Sequence, residues 1–155
     1  MKGRNPTELA SLLQAGERIL CIDPGEKNLG IALSDTSRTV ANPHSIIRRT
    51  KFTDVAANMK KIIENENVGG IIVGLPINMD GSEGPSAQSA RALASNIETK
   101  LLIPTSLWDE RLSTSAVTRT LISADTSRKR RSEVVDKIAA AYILQGALDL
   151  INRST

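Results

Sequence analysis

Acidic residues follow apolar runs at three separate places in this 155-residue sequence. Asp23 comes directly after four apolar residues, and the pair Asp109 and Glu110 follows a second apolar run. Asp136 stands near the start of the last apolar segment. A carboxylate at the end of a buried strand destabilises the fold if it is desolvated without a partner. A divalent cation would compensate several such charges, so the sequence predicts a metal site.

The residue types of this site indicate which metals and which reaction it would serve. Carboxylates suit hard cations, here Mg²⁺ or Mn²⁺. Two such ions, about 3.5–4 Å apart with the substrate bound, can activate water and neutralise the leaving oxygen of a phosphodiester. His44 and Cys21 are the single residues of their kinds. This disfavours a zinc site, and it disfavours Ser-His or Cys-His catalysis unless His44 lies beside a nucleophile.

Positive charge is concentrated in one part of the chain. The net charge is only +3, but the stretch 111–137 carries a larger excess of basic over acidic residues. It includes the consecutive Arg128, Lys129, Arg130 and Arg131. A basic patch next to clustered acids suits a polyanion that binds beside metal ions. The sequence therefore favours a nucleic acid as partner.

Length and composition predict one domain in the reducing cytoplasm. A chain of 155 residues fits a single domain of about 100–200 residues. Cys21 has no cysteine to pair with and is expected to be a small buried apolar residue. No apolar run approaches the ~20 residues of a membrane span. We expect an N-terminal extension with a short helix over 1–17 and a single domain over 18–152.

The first half of the chain predicts a short helix and three strands. Asn5 can cap the helix, with Pro6 at its first position and Gly16 at its end. Strands are predicted over 19–23, 30–34 and 40–48. Apolar residues at helical spacing follow, and Gly69 and Gly70 are expected to stop that helix. Its predicted inner positions are Val55, Ala56, Met59, Ile62 and Ile63.

The second half alternates strands and helices. A short buried strand is predicted over 71–73, a polar loop over 75–84, a helix from Pro85 and a strand over 104–108. A helix over 112–123 and a mobile basic loop over 124–131 follow, and Ser132 can cap the last helix. The expected inner positions of the helix from Pro85 are Ala87, Ala90, Leu93, Ala94 and Ile97. Those of the last helix are Val135, Ile138, Ala139, Tyr142 and Leu148.

These elements predict an α/β fold with a mixed five-stranded sheet. Three antiparallel N-terminal strands are followed by parallel strands, and helices cover both faces. The loop 75–84 follows the carboxyl end of a parallel strand, where open α/β sheets bind ligands.

Four segments of the chain carry a family resemblance. In order they are DPGEKNLGIALSD at 23–35, VGLPINMDGSEGP at 73–85, DERLST at 109–114 and VDKIAAA at 135–141. Together they resemble the four motifs of the YqgF/RuvX family of RNase H-like nucleases, over about 18–148. That family is described as Holliday-junction-resolvase-like and is implicated in maturing the ends of small-subunit ribosomal RNA precursor. The chain departs from it at Asn28, where the family often has arginine.

The resemblance implies an RNase H-like fold and a divalent-metal nuclease site. The family's acids correspond to Asp23, Glu110 and Asp136 here, which are expected to be catalytic and to bind metal. Asp109 is a further possible metal ligand, although the alternation along a strand would direct it away from Glu110. Simpler roles exist for these acids, namely a turn residue for Asp23 and a helix-terminal charge for Asp136.

The expected partner is structured RNA, with branched DNA and ribosomal precursor particles as further possibilities, and the protein is expected to be a monomer or homodimer. Three function classes stay open from the sequence: a nuclease for the 5′ end of ribosomal RNA precursor, a Holliday-junction resolvase, and a non-catalytic ribosome-assembly or regulatory module. A single lobe of an ATP-binding fold is disfavoured because such folds need two lobes. The expected nucleic-acid contacts are Lys27, Asn78, Ser82, Arg111, Ser113, Arg128, Lys129, Arg130 and Arg131.

Overall fold

A mixed five-stranded sheet forms the centre of the molecule. The computed structural model describes residues 5–112 and 128–153, with side chains for 5–112 and 136–153. The sheet order is β3-β2-β1-β4-β5. β1 is antiparallel to β2 and β2 to β3, whereas β4 is parallel to both β1 and β5. The predicted mixed sheet is therefore confirmed. The strands are β1 (Arg18–Pro24), β2 (Asn28–Ser34), β3 (Ala41–Arg48), β4 (Val68–Leu75) and β5 (Thr105–Asp109).

Helices cover both faces of this sheet. The α-helices are α1 (Pro6–Ser11), α2 (Phe52–Asn65), α3 (Pro85–Leu101) and α4 (Arg128–Arg153), and Glu110–Leu112 forms a turn of 3₁₀ helix. Within the described residues, no helix is both long enough and apolar enough to cross a membrane.

Alternate residues of the central strand belong to two separate cores. Leu20 and Ile22 of β1 pack in the cluster that includes residues of α2 and α3. Ile19 and Cys21 pack in the other cluster, with residues of α1 and α4. Because side chains alternate between the two faces of a strand, Asp23 continues the row of Ile19 and Cys21. Asp23 therefore belongs to the face that α4 covers.

Small residues allow α4 to lie close to this face. Cys21 pairs with Ala32 of β2, and Asp23 pairs with Gly30. Cys21 is fully buried, as predicted. The buried residues of α4 are alanines and larger aliphatic residues at helical spacing, which bring the helix onto the sheet. They are Ala139, Ala140, Ala141, Ile143, Leu144, Ala147, Leu148 and Ile151.

The predicted helix from Pro85 is confirmed in its start and in its buried face. α3 begins at Pro85, and all five of its predicted inner residues are buried. Pro at the first turn fixes a helical backbone angle without removing an intrahelical hydrogen bond. For α2, Val55 and Met59 are buried, and Ile62 and Ile63 pack partly buried against the same core.

Two glycine-based predictions were wrong. α1 ends at Ser11 with Leu12 as its C-cap, before Gly16 is reached. Gly69 and Gly70 lie inside β4 rather than between helix and strand. A Cβ atom on Gly70 would be 2.9 Å from Leu9 Cδ1, so the absent side chain makes room for α1. Leu9 itself is fully buried in the α4-side core.

The start of the last helix was also predicted incorrectly. α4 begins at Arg128, so Ser132 lies within the helix and the four basic residues 128–131 form its first turn rather than a loop. Tyr142 is not part of the buried face, since it is 44% exposed. The adjacent Ala141 and Ile143 are buried instead. Of the predicted helix 112–123, Leu112 ends the 3₁₀ turn and the rest lies outside the described residues.

Candidate functional site

Asp23 occupies the centre of the sheet and is buried. Its residue is only 4% exposed, and it pairs with Gly30 of the neighbouring β2. On the other side, Ile22 pairs with Val73 of β4. Gly74, the next residue of that parallel strand, therefore lies on the opposite flank of Asp23. The acid is flanked by two strands whose nearest residues have no side chain.

Asp136 approaches this position from α4. A Cβ atom on Gly30 would overlap the backbone carbonyl of Asp136, and it would be 3.3 Å from Asp136 Cβ. The helix therefore rests on β2 at the residue that pairs with Asp23. Adjacent strands lie about 4.8 Å apart, so Asp136 and Asp23 are separated by roughly one strand spacing along the sheet.

Glu110 approaches from the other flank. A Cβ atom on Gly74 would be 2.8 Å from Glu110 Oε1 and 3.1 Å from Ile143 Cδ1. The first residue of the 3₁₀ turn thus directs its carboxylate onto β4, between the strand and α4. Burial raises the pKa of the Cys21 thiol well above its ordinary value, and the nearby charges of Asp23 and Glu110 raise it further.

The three acids are brought to one region but do not form a finished ion site. Among the side chains that the structure describes, those of residues 5–112 and 136–153, no three from His, Cys, Asp or Glu are grouped closely enough to hold a metal ion. The donor types fit a hard cation, because all three are carboxylates. Binding an ion through Asp23, Glu110 and Asp136 would therefore require their side chains to turn towards one another. The predicted metal ligation stays a prediction.

Asp109, the neighbour of Glu110, has a different environment. Its carboxylate accepts hydrogen bonds from Arg111 Nε and Nη2, the latter at 2.7 Å, and from the Arg111 backbone N–H at 2.9 Å. These hydrogen bonds and the guanidinium charge lower the pKa of Asp109. Asp109 pairs with Leu75 at the end of β4. Asp109 therefore lies beside the end of β4, where the loop 76–84 begins, whereas Glu110 lies against Gly74.

The loop 76–84 is closed by its own hydrogen bonds. Asn78 Nδ2 donates to Ser82 Oγ at 3.0 Å, and Ser82 Oγ donates to Asp80 Oδ1 at 2.6 Å. These Ser82 hydrogen bonds lower the pKa of Asp80. Arg111 Nη1 donates to the Asn78 carbonyl at 3.4 Å. Three predicted nucleic-acid contacts, Asn78, Ser82 and Arg111, thus lie together beside the acids.

The remaining predicted contacts are distributed differently. Lys27 is exposed in the turn that follows Asp23. The basic residues 128–131 form the first turn of α4, the helix that carries Asp136. The structure describes the backbone of these four residues but not their side chains. Ser113 also lies outside the described residues.

Two cavities near the acids contain residues that sequence reasoning did not select. One, of about 560 Å³, includes Arg49, whose guanidinium donates to the Gly25 carbonyl and to Ser89 Oγ. The other, of about 470 Å³, lies between β3 and α4 and includes Arg48 and Lys137. Arg48 is the last residue of β3 and Arg49 follows it, and strand alternation could have placed them on opposite faces. Their proximity to Asp23 had no signal in the sequence, because it depends on the pairing of β2 with β3.

Comparisons with known proteins give one family and a set of close relatives. The profile of RuvX, described as a Holliday junction resolvase, matches residues 17–150. A protein of Paramagnetospirillum magneticum named "Putative pre-16S rRNA nuclease" is 56% identical over 149 residues, which is 96% of this chain and 95% of that one. A protein of the same name from Gluconobacter oxydans is 51% identical, over 94% of this chain and 91% of its own.

Solved structures with the same fold are much more distant in sequence. Thermus thermophilus RuvC in complex with a Holliday junction substrate gives a TM-score of 0.56 at 13% identity, over 90% of this chain and 97% of that one. Yeast mitochondrial Holliday junction resolvase Ydc2 gives 0.52 at 13% identity, over 94% and 83%. At such identities the likeness concerns the fold alone, and it confirms the predicted RNase H-like class.

Proposed function

The chain belongs to the RuvX family, and we propose that it is a divalent-metal-dependent nuclease that trims the 5′ end of the precursor of 16S ribosomal RNA in the cytoplasm. The family match covers residues 17–150, and the curated relatives named above carry a pre-16S rRNA nuclease name over nearly their whole length. The proposed substrate, precursor 16S ribosomal RNA, is inferred from the names of those relatives. Metal dependence, the choice of Mg²⁺ or Mn²⁺ and the cellular location are part of the proposal.

The observation that carries the proposal is the surroundings of Asp23. This buried acid lies between Gly30 and Gly74. Gly30 touches the backbone of Asp136, and Gly74 touches the side chain of Glu110. Two glycines therefore allow two further acid-bearing residues to come close to a third. Carboxylates that come near one another repel unless a cation is shared, so a bound cation would stabilise this arrangement.

In the proposed mechanism, Asp23, Glu110 and Asp136 would hold the ions through carboxylate oxygens. Bound divalent ions supply a nucleophilic water and neutralise the charge on the leaving oxygen of a phosphodiester. The protein's own part is to fix the three carboxylates on rigid elements. Asp23 is held by strand pairing on both sides, and Asp136 is held by the packing of α4 on β2.

The substrate would be positioned by polar groups around the acids rather than by stacked bases. Asn78, Ser82 and Arg111 lie at the loop beside β5, and Lys27 follows Asp23. The chain has one Trp, one Tyr and one Phe, and Trp108 is buried. Contacts to phosphates position a nucleic acid without reading its sequence. We therefore infer recognition by backbone charge and shape.

A second candidate keeps the chemistry and changes the substrate to a Holliday junction. It is favoured by the description of the matching family as a Holliday junction resolvase. Monomer and homodimer both remain compatible with the proposal for RNA, whereas symmetric cleavage of a junction needs two active sites.

The decisive experiment compares Asp23→Asn with Asp54→Asn on precursor 16S ribosomal RNA and on a synthetic four-way DNA junction, with Mn²⁺ or with chelator. Asp54 is an exposed acid in the first turn of α2, and α2 packs on the other face of the sheet. We expect cleavage by the wild type and Asp54→Asn only with metal. Asp23→Asn should lose more than the roughly 10–100-fold that is typical of changes next to a metal ligand.

The outcomes separate the proposals. Cleavage of the ribosomal precursor alone supports the first function, and cleavage of the junction alone supports the second. If Asp23→Asn kept cleavage within about threefold of the wild type, the metal-ligand role would be contradicted. The loss would then be far smaller than the loss usually caused by a change next to a metal ligand. Calorimetric titration with Mn²⁺ gives an independent readout, because a non-catalytic module has no need to bind the ion.

A further inference from the structure

A cavity between the edge strand and α4 contains two basic residues, Arg48 and Lys137, that were not among the expected nucleic-acid contacts. Its volume is about 470 Å³. Three elements contribute to it: the start of β2, the part of β3 from His44 to Arg48 and the part of α4 that follows Asp136. The lining residues are Asn28, His44, Ser45, Ile46, Arg48 and Lys137.

The strand register ties this cavity to the acids. Arg48 pairs with Asn28, and Ile46 pairs with Gly30. Gly30 is the residue that pairs with Asp23 and contacts the backbone of Asp136. The cavity therefore begins one strand away from Asp23, on the side opposite to Glu110. It extends from there to the open edge of the sheet, because β3 is the outermost strand.

The charge of the lining favours an anion. Arg48 and Lys137 are cationic, and no acid is among the lining residues. In the described part of the chain, neither side chain forms an ion pair with a carboxylate. Glu66 is an acid at the rim, where its carboxylate is 4.0 Å from His44 Nε2 and 3.8 Å from Arg18 Nη1. The two cations near Asp136 are thus not neutralised from that side.

The neighbouring arginine gives an instructive contrast. Arg49 follows Arg48 but points into a different cavity, where its guanidinium donates to Gly25 O at 2.9 Å and to Ser89 Oγ at 2.7 Å. Those bonds join the turn after β1 to α3, so Arg49 has a structural task. Arg48 is exposed and has no comparable contact in the described structure, which leaves its charge available to a ligand.

We infer that this cavity binds the phosphate backbone of a single-stranded stretch of the nucleic acid substrate, on the β3 side of the acids. The inference rests on the proposed nuclease function and adds a second place of contact, across the acids from the loop 76–84. Arg48 and Lys137 each contact a phosphate, and Asn28 and Ser45 offer neutral hydrogen-bond donors. The lining has no aromatic platform of Phe, Tyr or Trp, so the contacts position the strand without reading bases.

The test is a salt series of binding with two charge-matched double variants. Arg48→Gln with Lys137→Gln removes two positive charges from the cavity. Lys60→Gln with Lys61→Gln removes two from exposed positions of α2, which covers the other face. The probes are a labelled single-stranded RNA and a four-way DNA junction, each bound in chelator so that no cleavage occurs.

Each phosphate contact contributes about 0.7 to the slope of log affinity against log salt for single strands. The cavity variant should therefore lower the slope on RNA by about 1.4, and weaken binding, whereas the α2 variant should change the slope by less than about a third of that. A third variant, Arg48→Lys with Lys137→Arg, keeps both charges and should retain the wild-type slope. Equal unfolding temperatures for all variants show that the fold is unchanged.

Three results would count against the inference in different ways. A cavity variant with the slope and affinity of the wild type would overturn the inference and leave the proposed function standing. A wild type that binds neither probe would overturn the proposed function, and the inference with it. If the slope falls on the junction but not on RNA, the inference of a single-stranded RNA path is wrong.

Discussion

Two adjacent acids, Asp109 and Glu110, have different surroundings. Asp109 is engaged by the Arg111 guanidinium at 2.7 Å, whereas Glu110 lies against Gly74 near Asp23. The change from β5 to a 3₁₀ turn occurs between them. This local change in backbone directs one carboxylate to the loop 76–84 and the other to the centre of the candidate site.

We predict that Glu110→Gln abolishes cleavage whereas Asp109→Asn only weakens it. Both variants remove one negative charge with almost no change in size, so each serves as the control of the other. The physical reason is that only Glu110 lies beside Gly74 and the buried acid. Single-turnover cleavage rates under saturating Mn²⁺ measure the difference, and the reverse ranking would contradict the assignment.

The ion pair of Asp109 also gives a sign for the effect of pH on stability. The pKa of Asp109 is lowered, first by its hydrogen bonds from the Arg111 side chain. The pair therefore stabilises the fold above the ordinary pKa of aspartate, about 3.9, and this contribution is lost as pH falls through the lowered value. It is small, because Asp109 and Arg111 side chains are 21% and 34% exposed and are screened by water.

At this scale the sequence selected candidate acids but not the residues that contact them. Strand alternation would direct Asp109 and Glu110 apart only if the strand continued, whereas β5 ends at Asp109 and their separation arises from the 3₁₀ turn that begins at Glu110. The role of Arg111 was expected to be a phosphate contact, yet in the structure it holds Asp109 and reaches the Asn78 carbonyl. That arrangement depends on a loop whose conformation is set by contacts between distant residues, so no local pattern announces it.

Two glycines, one beneath α4 and one within it, differ in how closely other atoms approach them. Gly30 touches the backbone of the helix at Asp136. Gly146 lies in the helix itself, and a Cβ atom there would meet Trp108 Cζ2 at 3.5 Å. That distance is an ordinary van der Waals contact. A Cβ atom on Gly30, by contrast, would overlap the backbone carbonyl of Asp136, so the helix backbone would have to move. The same substitution should therefore have opposite effects at the two positions.

We predict that Gly30→Ala destabilises the fold by about 1–3 kcal/mol, the usual cost of overpacking. It should also lower cleavage strongly, because α4 must move away from β2 and carry Asp136 with it. Gly146→Ala should instead stabilise by about 0.5–1 kcal/mol through its higher helix propensity, and it should leave cleavage unchanged. Denaturant unfolding and cleavage assays of both variants test this pair.

Stabilisation by Gly30→Ala would show that α4 does not rest on β2 as described. If Gly146→Ala destabilised the fold by more than about 1 kcal/mol, close packing against Trp108 would outweigh the gain in helix propensity. Unfolding measurements at neutral pH are sufficient for both comparisons.

The start or end of an element could be predicted where one residue has a local role. The prediction failed where tertiary packing determines the boundary. Pro85 and the buried row of α3 follow from local geometry and periodicity. Gly69 and Gly70 were interpreted as helix stops, but the sheet needs them inside β4, where Gly70 makes room for Leu9. Ser132 resembled a cap, although the helix extends four residues further towards the N-terminus.

Across the whole molecule, basic residues occupy an electrostatically unfavourable place. Residues 128–131 form the first turn of α4, and this first turn contains no acid. The N-terminal end of a helix carries partial positive charge, so cations there are disfavoured. A run of four basic residues is thus better explained by an external anion than by stability of the helix.

We predict that replacing Arg128, Lys129, Arg130 and Arg131 together with Ala flattens the salt slope of nucleic-acid binding by about 1.5, from two contacts of about 0.7–0.9 each. Affinity should fall similarly for all sequences. Stability should stay the same or rise slightly, because Ala favours helix and the repulsion is removed. Fluorescence anisotropy in a salt series tests the slope, with the Lys60 and Lys61 variant as control. An unchanged slope and affinity would mean that the run does not contact the substrate.

The mixed sheet, with antiparallel strands before parallel ones, and the family could be predicted from the sequence, because four motifs occur in order along the chain. The relative position of the three acids could only be expected through that resemblance. Their convergence depends on Gly30 and Gly74, which appear in the sequence as ordinary residues of two motifs. The cavity at Arg48 and Lys137 combines residues from distant parts of the chain, and nothing in the spacing joins them.

The packing of α4 on Gly30 also sets the order in which the site is completed during protein synthesis. Strands β1 and β2 leave the ribosome early and can pair at once, whereas Asp136 is translated after every strand of the sheet. A nascent chain with a formed sheet therefore still lacks one of the three acids. If Asp136 is required for cleavage, as proposed, the growing chain cannot cut the RNA of the ribosome that is making it. Under this proposal, activity would begin only when the helix docks.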